Sequence, residues 1–208
     1  MYPMPEFQER DPQAVREFIR KHPLAMIVAN GDGGPVATHV PLLLGDGEPL
    51  TLRGHLMRKT PYWHGFKASS DVLVAFTGPD APVLESWNTS LPFGGTWNYM
   101  AVHVRGTLRF LPESDLLEIL RELKNLYEVD PTRQFDNLPS DYVPALIKAI
   151  EGFEIVVSDV QAVFKLSQNR TREDFESTVD HLRDRGGEHA LVADEMVARR
   201  SRFFPESP

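Results

Sequence analysis

The chain has 208 residues, of which 41% are hydrophobic and 25% charged, enough to bury a core in one domain with or without an appendage. It has no cysteine, which excludes disulfides, thiolate metal ligands and a cysteine nucleophile. The net charge of −8 sits wholly in residues 111 to 208, with 20 acidic and 12 basic side chains against 10 and 10 before them; the missing basic stripe weighs against direct DNA contact. The opening MYPMPEFQERD lacks a leader pattern, and no run approaches the roughly 20 apolar residues of a membrane span, so a cytoplasmic protein is expected.

A first helix is expected from Asp11 as N-cap and Pro12 as first position, with Val15, Phe18 and Ile19 on one face and Pro23 as its stop. From Leu24 to Phe110 short β-rich runs follow: LAMIVAN, PVATHVPLLL, PLTLRGH, VLVAFTG, PVLESW and YMAVHVRGTLRFL. Five or six strands at this spacing suggest a barrel or sandwich, and GDGG at 31 to 34 reads as a hairpin turn. A short helix should open at Thr60 and Pro61. A longer one carries Leu116, Ile119, Leu120, Leu123 and Tyr127 at helical spacing, with Glu113 and Asp115 at its favourable end. A helical piece over 142 to 148 precedes a late strand, IEGFEIVVSDVQAVFKL. Thr171 and Asp174 resemble a capping box for a helix striped by Phe175, Val179 and Leu182 and ended by Gly186 and Gly187. A last helix is expected from Glu188 to Arg200, with FFPESP fraying after it. The whole, 1 to 208, is expected to be one domain with a helical C-terminal extension over 171 to 208.

Four stretches carry residues suited to a ligand. In LRGHLMRKTPYW, Arg53, His55, Arg58, Lys59 and Thr60 lead into a helix N-terminus, an arrangement that suits a phosphate; the same cations also suit a solvated turn paired with the acidic half. In PVATHVPLLL, Thr38 and His39 interrupt an apolar strand and need partners there, either a ligand or the core itself. Trp97, Asn98 and Tyr99 combine aromatic faces with polar tips, as pocket walls and barrel closures both do. Lys165, Ser167, Gln168, Asn169 and Arg170 form a polar run that either wraps a ligand or simply links strand to helix. The seven histidines show no metal-ligand spacing, and HExxH and GxSxG are absent, so neither a metal site nor a catalytic residue is assigned.

RGHxxRxxPYW, PVATHVPLLL, TWNYMAVHVRG and FKLSQNR together resemble the PaiB family of FMN-binding negative transcriptional regulators, over nearly the whole chain. The resemblance implies an α+β, mainly β fold: a split β-barrel like the pyridoxamine-phosphate oxidase group, with peripheral helices. It also implies a homodimer holding FMN between subunits. Carried onto this chain, it implies that Arg53, His55, Arg58, Lys59 and Thr60 hold the phosphate. Thr38, His39 and Val40 would lie along the isoalloxazine ring, Trp97, Asn98 and Tyr99 of the other subunit would cover it, and Lys165, Ser167, Gln168, Asn169 and Arg170 would complete the pocket. Residues 78 to 95 depart from the family pattern at Asp80, Pro82 and Glu85, which leaves the wall facing a second ligand open. The expected function is a negative transcriptional regulator or flavin-dependent sensor, which without a basic face would act through a protein partner or indirectly through metabolism. The alternatives are an FMN-dependent oxidoreductase or flavin reductase using NAD(P)H, and a haem-binding relative with His39 or His103 as axial ligand.

Overall fold

The computed structural model describes residues 4–89 and 94–205; the start of the MYPMPEF motif, positions 90 to 93 of the divergent segment and the last three residues of FFPESP lie outside them. Among the described residues there are seven strands, which form one sheet, and seven α-helices, in chain order α1 (Pro12–Lys21), β1 (Leu24–Gly31), β2 (Gly34–Pro41), β3 (Leu43–Leu44), β4 (Thr51–Met57), α2 (Pro61–Ala68), β5 (Asp71–Val83), β6 (Thr96–Phe110), α3 (Glu113–Tyr127), α4 (Tyr142–Ala149), β7 (Ile150–Lys165), α5 (Arg172–Arg185), α6 (Gly187–Ala198) and α7 (Arg200–Phe203). The strand order is β2-β1-β5-β6-β7-β4-β3, and the pairs β1–β2, β1–β5, β3–β4 and β4–β7 are antiparallel. The late strand β7 thus lies between β6 and β4.

The chain divides into two compact units, 16–76 with 103–160 and 1–15 with 77–102 and 161–208, and β5, β6 and β7 each contribute to both. In the first, Ile27, Leu52, Leu56, Val74, Phe76, Val104, Phe153 and Ile155 are buried, the inward half of alternating strand residues. Residues of α3 extend this core: Leu116 and Leu120 pack with Phe135 and Ile150, and Ile119 and Leu123 with Leu43. In the second unit, Phe175, Val179 and Leu182 of α5 and Val192 and Met196 of α6 are buried. Trp87 stacks on His181 at 5.0 Å and 14°, and the Arg185 guanidinium lies 4.8 Å from the same indole.

Local chemistry explains the boundaries. Asp11 Oδ1 accepts from Gln13 N at 2.9 Å, Thr60 Oγ1 from Trp63 N at 3.2 Å and Thr171 Oγ1 from Asp174 N at 3.2 Å, so three helices begin where their caps stand. Gly31 pairs with Gly34 across the hairpin turn, and Gly34 has φ +122°, which a side chain rarely adopts.

The structure also departs from the expectations. PVLESW is not a strand of its own: β5 runs on through Gly78, Pro79 and Pro82, and Glu85–Trp87 is a 3-10 turn. Prolines are tolerated there because β1 pairs only with Val72–Ala75 of β5. The last helix breaks at Arg199 into α6 and α7. Phe203 and Phe204 do not fray; both are half-buried, at 6.1 and 5.1 Å from Phe175.

Candidate functional site

The basic segment divides into parts with different surroundings. On β4, Leu52, Gly54 and Leu56 face the core, while Arg53 and His55 share the opposite face, in register with Glu154 and Gly152 of β7. There α3 covers the sheet, and Arg53 Nη2 donates to Glu122 Oε2 at 2.7 Å. Arg58 turns inward: its Nε donates to Ile150 O at 2.8 Å and its Nη1 lies 3.2 Å from Glu151 Oε2. That carboxylate also accepts from Trp63 Nε1 at 2.6 Å and Lys67 Nζ at 3.0 Å. Burial alone would raise the pKa of Glu151, but Lys67, Trp63 and Arg58 outweigh it and hold the carboxyl below its usual range.

Lys59 and Thr60 remain at the surface end of the segment. Lys59 is exposed, has φ 62°, and makes no ion pair or hydrogen bond among the described residues. Thr60 Oγ1 is occupied as the α2 cap and donates to Met57 O at 3.1 Å. Beside this helix start lies a cleft of about 350 Å³ between Pro61, His64 and Gly65 of α2 and the β1–β2 turn, Gly31 to Val36. The two elements touch closely, since a Cβ on Gly65 would meet Val36 Cγ2 at 2.5 Å. His55 is set in another place, a cleft under α3 and α4, and burial depresses its pKa.

Strand β2 is a sheet edge, so Thr38 and His39 do not interrupt a core strand as the sequence suggested. Thr38 is half-buried beside Ile27 and Val40 is buried beside Ala25, whereas His39 is exposed beside Met26. Adjacent strand residues face opposite sides, so one flat ligand on one face meets Thr38 or His39, not both.

The remaining predicted residues belong to the second unit. Asn98 is fully buried; its Nδ2 donates to Ser167 Oγ at 2.9 Å and lies 3.5 Å from Met196 Sδ. Gln168 Nε2 donates to Glu6 O and Phe164 O at 3.0 and 2.7 Å, and its Oε1 accepts from Leu166 N at 2.7 Å. These three side chains, with Ser167 at φ 61°, hold the loop itself together. Lys165 Nζ donates to Thr96 Oγ1 and to Trp97 O, and burial, then Arg170, lowers its pKa. Arg170 Nη2 donates to Gly94 O at 3.4 Å. Trp97 is 52% exposed, its Nε1 bonded to Asp80 Oδ1 at 2.7 Å, so the divergent Asp80 orients a predicted site residue. Tyr99 is half-buried and Asn169 exposed. Sequence reasoning missed Glu151, the anchor of Arg58, because nothing local in IEGFEI marks it as a partner.

The family model described as "Putative FMN-binding domain" matches residues 1–159. Protease synthase and sporulation protein PAI 2 of Bacillus subtilis is 32% identical over 202 residues, covering 95% of this chain and 96% of that protein. The chain belongs to the PaiB family. Two solved structures resemble this PaiB-family protein in fold. The FAD and heme binding protein of Mycobacterium smegmatis has a TM-score of 0.59 at 16% identity, over 76% of this chain and 73% of that one. The flavocytochrome Anf3 of Azotobacter vinelandii has a TM-score of 0.57 at 13% identity, over 82% and 75%. The PaiB-family fold here is the α+β, mainly antiparallel split β-barrel with peripheral helices. Among its described residues, no helix is long and apolar enough to cross a membrane.

Proposed function

We propose that this protein binds FMN as a cytoplasmic homodimer and uses it to sense and regulate. Family membership supports the flavin, and one observation carries its position: Lys59, exposed and unpaired among the described residues, stands at the capped start of α2 beside an open cleft. A lysine at the positive end of a helix suits a phosphate, although Pro61 has no N–H and Trp63 N is bonded to the Thr60 cap, so the charge rather than a nest of amides carries the site. In this reading Arg53 and Arg58 stay with their carboxylates, and Arg58 positions the turn through Ile150 O and Glu151. The ring lies along the free edge of β2, where alternate residues among Thr38, His39 and Val40 turn their backbone groups outward from β1. The partner copy supplies the exposed Trp97 ring and the 165–170 loop, with Asn98, Ser167 and Gln168 as its internal frame. When bound, the flavin supplies electron-transfer chemistry.

The net charge of −8 favours a regulator that acts through a protein partner over one that grips DNA. The alternative, an oxidoreductase, requires NAD(P)H to reduce the bound flavin with turnover, which an anaerobic NADPH titration of the loaded protein reads directly. The phosphate assignment is tested by titrating FMN and riboflavin. Lys59→Ala is expected to weaken FMN about tenfold, roughly 1.4 kcal/mol, and to leave riboflavin unchanged. Equal affinities for the two flavins in the parent protein would overturn the assignment.

A further inference from the structure

The flavin reading does not use the cleft of the first unit that holds His55. It has a volume of about 470 Å³, within the ordinary range of small-molecule sites. Its floor is apolar, formed by Leu120, Leu123 and Phe135, and Leu138 and Leu146 line it as well. Tyr127 and Tyr142 are 58% and 52% exposed and also line it, so aromatic surface continues outward.

Two polar groups in this apolar setting point to a ligand. His55 Nδ1 is buried with no hydrogen-bond partner among the described residues. An orphaned N–H is rarer in native structures than an under-used acceptor, which places the proton of the neutral ring on Nε2 and leaves Nδ1 as a bare lone pair. Burial keeps the ring neutral by lowering its pKa. His55 therefore brings an Nε2–H donor to the cleft. Lys124, on α3, is half-buried there, and its ammonium makes no ion pair or hydrogen bond among the described residues. Glu128, also lining the cleft, is engaged, its Oε1 accepting from Asp130 N at 3.1 Å.

We propose that this cleft binds a small monocarboxylic acid with a flat apolar body, one carboxylate oxygen accepting from His55 Nε2–H and the other facing the Lys124 ammonium. The apolar walls take the body, and the aromatic rim favours a flat one. A single negative charge matches the single unpaired cation. A phosphate dianion would bring a second charge that the apolar floor cannot solvate and that Glu128 repels.

The test uses the full-length protein and calorimetric titration with 2-naphthoate, 2-naphthamide serving as the neutral control. Naphthoate is expected to bind once per chain, about fivefold more tightly than the amide, and Lys124→Met should remove that preference. Leu146→Trp, which fills the cleft from α4, should abolish binding of both probes while leaving FMN affinity unchanged. If circular dichroism shows that this variant is unfolded, Leu138→Trp takes its place. No saturable naphthoate binding, equal binding by the filled variant, or a preference that survives Lys124→Met would overturn the proposal. So would displacement of the probe by FMN together with loss of FMN binding in the filled variant, which would make the cleft the seat of the flavin ring.

Discussion

Glu151 gathers Trp63 Nε1, Lys67 Nζ and Arg58 Nη1 onto one carboxylate whose side chain is only 12% exposed. Its depressed pKa means that the stability it contributes is complete above the ordinary value of 4.5 and is lost as pH falls through the folded value. Glu151→Gln should therefore cost about 1–3 kcal/mol in urea unfolding at pH 7, and the gap to the parent should narrow below about pH 4. The basic character of Arg53, Arg58 and Lys59 was legible in the sequence, and so was their arrival at a helix start. Which cations were committed was not: Glu122 and Glu151 lie far along the chain, and only the fold brings them in. His55 illustrates the same limit. It reads as one more member of a basic segment, yet strand alternation turns it under α3.

Elements were legible where their signals are local. Asp11, Thr60 and Thr171 cap the helices they announce because a cap needs only a side chain and an N–H a few residues on. Strand neighbours were not, since edge and centre differ by what pairs beside them, and β2 carries as apolar a pattern as an interior strand. The contact of α2 with the β1–β2 hairpin was equally invisible and is tight. Gly65→Ala would drive a Cβ to 2.5 Å from Val36 Cγ2, so overpacking should cost about 1–3 kcal/mol in thermal or urea unfolding. Adding Val36→Ala should restore part of that loss, and a double-mutant cycle with no coupling would show that the two side chains do not collide.

At the scale of the whole chain, residues near its two ends meet within one unit. Arg202 donates to both oxygens of Glu9, at 2.6 and 3.0 Å, and the Glu9 side chain is 3% exposed. Burial alone would raise the Glu9 pKa; Arg202 and the Asp11 N–H outweigh it and lower it. Arg202→Ala should cost about 2 kcal/mol at pH 7 and move acid unfolding to higher pH, since burial then acts on an unpaired carboxyl. An acid midpoint unchanged in a pH titration followed by circular dichroism would contradict this account. The stacking of Trp87 on His181 has one more consequence, an optical one. An imidazole in van der Waals contact quenches indole emission, most strongly once protonated, so Trp87 should be dim while α5 holds its place and brighten when it leaves. Trp63 reports from the other unit through its bond to Glu151. Each unit thus carries native indole, Trp63 in one and Trp87 with the exposed Trp97 in the other, and Trp97→Phe would leave one reporter per unit in this cysteine-free chain.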